Sequence, residues 1–476
     1  MDRPRTPEVL SQLYRPLCVV RAPIATRSGY GGMSRDIVRH LIEYDKYNVE
    51  IHSINWGQTP MNALDVNNPA DKMILERIVP EEFPVQPDLY ISISIPTEFN
   101  PVGKYNIGIT AGIETTQASV EWVEAMNRMD VNFVISEHAK AVFDASKYQA
   151  HNEQGEQIGV MECLKPIEVL HNCVDTYTYK KINRTQLESS VRDMIDTIPE
   201  KFNYMFVGHW LRGDVGQDRK NVGLLIKLFY ELFKRTEFEN SEYGGRPGLI
   251  LKTGEVASSI IDREKILSKI NQIKESVELE EGEMLPNVYL VHGDLTDNEL
   301  NSLYNHDKVK VHITFTKGEG FGRPLLEASL TGKPIIAPGW SGHMDFLNPE
   351  QSILLGGELE DIHPSAFYDN IIIEGAKWMS VDPTMAATGQ VEAFRNYKPW
   401  RAKANRLAKV NKNNFNYKKI RANMWKLLDK YVPEFEEPPE QKMELELNLP
   451  SLTKVKEQDP INVPEIKLPK LLKVEK

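Results

Sequence analysis

Short runs of β-branched and aromatic residues alternate with helical patterns along most of the chain, and this alternation confines it to parallel sheets covered by helices. The first series of runs is Leu17–Arg21, Val49–Ile54, Leu89–Ile95, Tyr105–Ala111, Val131–Ser136 and Ile167–His171. Helix candidates Met33–Tyr44, Ser119–Met129 and Glu137–Tyr148 lie between them, and a polar stretch, Asn183–Lys201, then interrupts the pattern. A second series runs through Tyr204–Val207, Leu249–Thr253, Val288–His292, Val309–Phe315 and Pro334–Ala337. The reading is α/β, with two doubly wound Rossmann-like sheets in tandem. At 476 residues the chain is too long for one typical core, which agrees. The expected boundaries are 14–200 and 201–385, followed by a helical segment 386–432 and a tail 433–476. In sheets of this kind ligands bind beyond the carboxyl ends of the strands, so a site is expected in the loops that leave strands.

The tail has repeated prolines and an acidic stretch, Glu434–Glu446, and is expected to be mostly disordered because it buries too little apolar surface to offset its ordering entropy. The segment before it is basic: from Arg395 to Lys430 stand twelve Lys or Arg and a single acid, Asp429, in a chain of net charge −11. Its cations are interleaved with Tyr397, Trp400, Phe415, Tyr417 and Trp425. Two readings are open: aromatics packed inward with cations in solvent, or a surface for an anionic partner. Three cysteines, Cys18, Cys163 and Cys173, have no metal-ligand spacing and read as packing residues of a reducing compartment. With no apolar run of membrane-spanning length and no apolar core at the first residues, a cytoplasmic location is expected.

The most informative stretch is Glu319-Gly320-Phe321-Gly322-Arg323-Pro324-Leu325-Leu326-Glu327. It follows the run Val309–Phe315 and leads into a helix starting near Arg323, with Pro324 at its first position and Gly332 suited to its C-terminal cap. Glycines let backbone approach a ligand closely, and the helix N-terminus favours a phosphate. Glu327, in the second helical turn, is placed to accept hydrogen bonds from two neighbouring hydroxyls such as a ribose offers. Glu319, on the turn itself, sits nearer any transferred group. Taken alone the stretch is also compatible with a tight connection whose glutamates face solvent, because short glycine motifs match by chance.

With its two glutamates separated by seven residues, this stretch resembles the signature of family 4 glycosyltransferases, and its surroundings agree. Leu17–Arg21 followed by Ser28-Gly29-Tyr30-Gly31-Gly32 is similar to that family's first strand and the glycine loop, here Gly31 and Gly32, that approaches the donor phosphates. Phe206-Val207-Gly208, Arg219-Lys220-Asn221 and the helix Val222–Phe233 resemble the opening of its second domain, and Ser341-Gly342-His343 its later loop. The resemblance covers Leu17 to Leu355. It implies the GT-B fold with a terminal helix crossing back over both domains, and retaining transfer of a hexose-type sugar from a nucleotide sugar. It also implies donor contacts from Lys220 and from Gly320, Phe321, Gly322 and Glu327. The family's second cation usually follows the glycine directly. His209 stands there, so Arg212 is the candidate. Catalytic candidates are Glu319, Lys220 and Glu114.

Gly112-Ile113-Glu114-Thr115-Thr116 resembles a Glu-Thr variant within the family, in which Glu114 contacts the acceptor or the sugar; the alternative is that Glu114 caps the helix after it. No Asp-x-Asp pair occurs in the chain, so no cofactor and no metal are expected, with Lys220, Arg212 and backbone N–H groups in place of a divalent ion. The start Arg21-Ala22-Pro23 and Ser28-Gly29-Tyr30-Gly31 is similar to that of relatives encoded by tailed phages, which would place the chain in a host cytoplasm. It also keeps DNA with a hydroxymethylated base, beside an acidic lipid or glycan, among acceptors that Arg395–Lys430 would hold. An oxidoreductase is disfavoured because Gly29–Gly32 lacks the dinucleotide spacing. A non-catalytic scaffold that binds nucleotide sugars stays open. Trp122, Met126 and Met129 read as core, and His138 and His171 as structural.

Overall fold

The computed structural model describes residues 15–80, 85–151, 154–213, 216–255 and 259–437. Most of the expected tail, 438–476, lies outside the described residues.

The first sheet is parallel throughout. It is built from β1 (Leu17–Ala22), β2 (Asn48–Ser53), β3 (Leu89–Ile93), β4 (Tyr105–Thr110) and β5 (Val131–Val134). After a hairpin, β6 (Tyr148–His151) with β7 (Gln157–Met161), the strand β8 (Ile167–Val169) completes it, in the order β2-β1-β3-β4-β5-β8. Every residue of β3 and β5 is buried, as expected of strands covered by helices on both faces. The order reverses between β1 and β3, and the crevice beyond that reversal is where such sheets take ligands.

The second sheet repeats the plan with β9 (Asn203–Val207), β10 (Gly248–Lys252), β11 (Val288–Val291), β12 (Val309–Ile313), β13 (Ile335–Pro338) and β14 (Ile353–Leu355). Its order is β11-β10-β9-β12-β13-β14, so its reversal lies between β9 and β12. An antiparallel pair, β15 (Gly357–Asp361) with β16 (Lys377–Val381), follows it. The sequence pattern had not marked β6, β7, β14, β15 or β16. Inside the polar stretch 183–201 a short helix, Ser189–Asp196, buries Val191 and Ile195.

Three helices close the described chain: Pro383–Arg395, Tyr397–Asn414 and Tyr417–Tyr431. The first two stay on the second sheet's helices and strands, with Tyr204 Oη donating to Gln390 O at 2.6 Å and Asn411 Nδ2 to Ser329 Oγ at 2.9 Å. The third crosses to the first half, where Trp425 Nε1 donates to His40 O at 2.9 Å. Ile91, Phe321, Leu326, Phe415 and Met424 belong to one buried cluster, so the core runs through both halves and the crossing helix. Among the described residues no helix is long and apolar enough to cross a membrane.

Candidate active site

Loops at the carboxyl ends of the two sheets bring four charged side chains together. Lys220 and Arg219 come from the loop after β9, Glu319 from the turn after β12, and Glu114 from the loop after β4 of the other sheet. Lys220 Nζ lies 2.5 Å from Glu319 Oε1. Arg219 reaches both acids, with Nη1 at 3.6 Å from Glu319 Oε2 and Nη2 at 3.6 Å from Glu114 Oε1, and it donates to Gly318 O at 2.8 Å. Asn221 makes this turn possible: it adopts φ 53, a left-handed conformation that asparagine tolerates, and starts the helix Val222–Phe233 directly behind the two cations. Burial alone would raise the Glu319 carboxyl, but Lys220 and Arg219 outweigh it and hold it down at about 2. Glu319 is therefore a carboxylate at any physiological pH.

The turn that carries Glu319 is pressed against the first sheet. A Cβ on Gly320 would overlap the carbonyl oxygen of Ala111, and one on Gly318 would overlap that of Glu114. Glycine is needed here because backbone meets backbone. Glu319 N donates to Ser341 Oγ at 3.0 Å, and its carbonyl accepts from Gly342 N at 2.9 Å, so the Ser341-Gly342-His343 loop fixes the turn from behind. His343 is fully buried, its Nε2–H donating to Pro338 O at 2.6 Å, and burial pushes its pKa down. The resemblance marks Ser341-Gly342-His343 as a loop but does not single out this imidazole beside Glu319.

A second cluster lies along the helix Arg323–Ser329. Arg323 Nε is 3.0 Å from Glu327 Oε1, and its Nη1 is 3.4 Å from Asp36 Oδ2 of the helix Gly29–Tyr44. Burial pushes the Glu327 carboxyl up to about 7 although Arg323 opposes the shift. Gly31 and Gly32 form the first turn of that Gly29–Tyr44 helix and not a loop before it, with Ser28 Oγ capping Gly31 N at 2.9 Å. A Cβ on Gly32 would stand 2.7 Å from Arg323 Nη1, so the two glycine motifs face each other across the halves.

The structure also separates residues that the sequence had grouped. Arg212 is exposed and lies over the Tyr368 ring, 5.6 Å from its centroid; the cation that joins Lys220 is Arg219, its neighbour in sequence. Phe321 is 2% exposed and packs on Phe346 and Phe415, so it anchors the turn from inside the core. The helix Val120–Asn127 is capped by Ser119, which leaves Glu114 to face Arg219. His138 packs edge-on to Trp340 and is lowered to about 4 by burial, while His171 pairs with Asp345 at 3.0 Å. Trp122, Met126 and Met129 are buried core, and all three cysteines are free thiols. In the basic segment Tyr397, Trp400, Tyr417 and Trp425 pack inward and Phe415 is buried, while Lys398, Arg406, Lys409 and Lys412 are exposed.

Comparison with solved structures matches this architecture over nearly the whole described chain. HepE of Anabaena, in complex with UDP and glucose, aligns at a TM-score of 0.54 with 13% identity, over 87% of this chain and 100% of that one. Sucrose-phosphate synthase of Thermosynechococcus elongatus aligns at 0.55 with 13% identity, over 88% of this chain and 99% of that one. The fold is GT-B. α,α-Trehalose 6-phosphate synthase of Burkholderia multivorans, at 0.53 and 10% identity over 88% of this chain and 99% of that one, has the same GT-B architecture. At these identities the likeness establishes the fold alone. No protein-family profile matches the chain, and no curated protein matches it in sequence. In this GT-B chain the Lys220–Arg219–Glu319–Glu114 cluster stands where the carboxyl ends of the two sheets face each other. Two cations there, beside a helix N-terminus, are equipped to hold a di-anionic group, and two carboxylates adjoin it.

Proposed function

We propose that the chain is a glycosyltransferase that moves a hexose-type sugar from a nucleoside-diphosphate sugar to a hydroxyl acceptor with retention of configuration and without a metal ion. The observation that carries the reading is the placement of Lys220 and Arg219 against Glu319 and Glu114 between the two GT-B sheets. As the bond from C1 to the diphosphate breaks, negative charge grows on phosphate oxygen, and preorganised cations stabilise it in a site with little water. The acceptor oxygen bonds to C1 from the same face and its proton passes to the departing phosphate oxygen, so no covalent enzyme intermediate is needed. Glu319 lies at the transferred sugar, Glu327 takes the ribose hydroxyls, and the backbone at Gly31, Gly32, Gly320 and Gly322 borders the phosphates. That HepE was solved with UDP and glucose supports the choice of donor class.

Thermal-shift screening against UDP-, GDP-, ADP- and dTDP-sugars tests this directly, since a ligand at about 100 times its dissociation constant stabilises by about 2.7 kcal/mol. Stabilisation by none of the four would overturn the reading. Turnover that survives EDTA is the expected result for the metal-free mechanism; complete loss restored by manganese contradicts it. A non-catalytic scaffold would bind a donor yet release no free diphosphate, even slowly to water.

A further inference from the structure

The carboxyl ends of the first sheet carry a strip of side chains that the donor reading leaves unused. Trp56, after β2, is half-buried and lies on Tyr30 with ring centroids 4.2 Å apart. Tyr30 is fixed beneath it: its hydroxyl pairs with Thr110 Oγ1 at 2.9 Å and accepts from Ala111 N at 3.0 Å, both at the end of β4. Beside them Arg21, at the end of β1, donates to Glu98 at 3.0 Å, and Glu98 also accepts from Ser94 Oγ at 3.1 Å. Ala111 is the residue against which Gly320 packs, and Glu114 lies three residues further on. The strip therefore runs from Trp56 to the reacting centre.

We propose that this strip is the acceptor subsite and that the acceptor group it holds is an uncharged pyranose, a reading that rests on the glycosyltransferase assignment. The indole offers a flat, electron-rich face, which suits the C–H face of a sugar ring. The Arg21–Glu98 pair offers donors and acceptors side by side, and a hydroxyl both donates and accepts, so neighbouring hydroxyls satisfy both members of the pair. Charge decides against an anionic acceptor at this place. Arg21 is paired with Glu98, Arg219 with Glu114 and Glu319, and Lys220 with Glu319. A phosphate or carboxylate here would meet the carboxylates of Glu98 and Glu114, while Lys220 and Arg219 are the cations assigned to the diphosphate.

Saturation-transfer NMR on the full chain, with the methyl α- and β-pyranosides of glucose, galactose and mannose as probes, tests the inference with and without nucleoside diphosphate. At least one pyranoside should receive saturation on its ring C–H protons. Trp56→Ala should reduce that signal more than fivefold and Trp56→Phe should keep much of it. Glu98→Gln, which keeps the side chain's shape at an exposed position and removes its charge, should weaken it at least twofold. Affinity for the diphosphate should stay unchanged in all three variants. If no pyranoside receives saturation, or if Trp56→Ala and Glu98→Gln both leave the signal unchanged, the subsite is overturned. Failure of the diphosphate to bind instead counts against the function, and pyranoside binding to the unliganded chain is still read separately.

Discussion

Glu319 and Glu327 sit on one strand, turn and helix unit, and their carboxyls shift in opposite directions. Two cations hold Glu319 down at about 2, whereas burial pushes Glu327 up to about 7. A ribose hydroxyl that donates to Glu327 needs the ionised form. Nucleotide affinity should therefore rise between pH 6 and pH 8, by about fivefold to tenfold if one protonation governs it. Isothermal titration at several pH values checks this, and in Glu327→Gln the affinity should be weaker and flat with pH. Stability moves the other way: a carboxyl whose folded pKa exceeds its unfolded value binds more protons when folded, so its favourable contribution fades as pH rises from about 4.5 to about 7. Glu319 leads to a different expectation. Glu319→Ala leaves Lys220 buried without an acid and Arg219 with Glu114 alone, and breaking a buried pair of this kind costs about 3 to 5 kcal/mol. The variant should unfold at lower temperature when free, recover on adding nucleoside diphosphate, bind that diphosphate more tightly than wild type, and transfer sugar slowly. Unchanged diphosphate affinity together with unchanged turnover would remove Glu319 from the mechanism.

At the scale of elements, the turn after β12 tolerates no side chain at Gly320, because the Ala111 carbonyl occupies that position. Gly320→Ala should cost about 1 to 3 kcal/mol as the two loops are forced apart, and turnover should fall further than stability does. Gly29→Ala is the matching control, since nothing lies within 4 Å of a Cβ there and alanine favours the helix. Thermal denaturation and donor hydrolysis of both variants settle whether the tight turn is specific. Most strands of the two main sheets could be read from the sequence to within two residues, because parallel strands are buried on both faces and spell continuous apolar runs. The hairpin of β6 and β7 escaped because its apolar residues are few and exposed, Ile158 and Val160 among them, in a stretch that otherwise reads as polar loop. The β15 strand is exposed at four of its five positions and escaped for the same reason. The spacing of one motif puts Glu319 and Glu327 on a single strand, turn and helix unit, whereas Lys220 stands in a second motif, after β9. Arg219 was not distinguished from Arg212, since which cation faces the cleft depends on the left-handed turn at Asn221, a feature that sequence spacing does not encode. Phe321 looked like a site residue for a similar reason, as motif membership does not say which way a side chain points.

Across the whole molecule, the halves are joined beside the site and again behind it. Thr116 N donates to Lys377 O and Lys377 N to Thr116 Oγ1, both at 2.8 Å, while Asp345 accepts from Glu137 N and pairs with His171. Behind, Val174 N donates to Phe415 O at 2.8 Å where the chain passes into its last helix, and Lys430 pairs with Glu168 at 2.6 Å. The basic segment thus divides by position. Arg421 pairs with Glu43 and stacks over Trp425, whose ring lies 5.2 Å from Tyr44, so this part works as a structural strap. Trp425→Ala should cost about 2 to 3 kcal/mol, less than the roughly 3 to 5 of a fully buried ring because the indole is half-buried. Lys403, Arg406, Lys409 and Lys412 make no ion pair among the described residues; Lys403 lies over the Trp400 ring and the other three are exposed. Neutralising all four should change stability by no more than about 0.5 kcal/mol and leave turnover unaltered, as exposed substitutions usually do. Fluorescence anisotropy with duplex DNA, with and without hydroxymethylated cytosine, provides the decisive contrast: each phosphate contact contributes about 0.9 to the salt slope of binding. With an uncharged acceptor held at Trp56, wild type and the fourfold variant should bind DNA equally and negligibly at two salt concentrations. A salt-dependent affinity that the four substitutions flatten would make the exposed face of the Tyr397–Asn414 helix a polyanion surface and move the acceptor away from the first sheet.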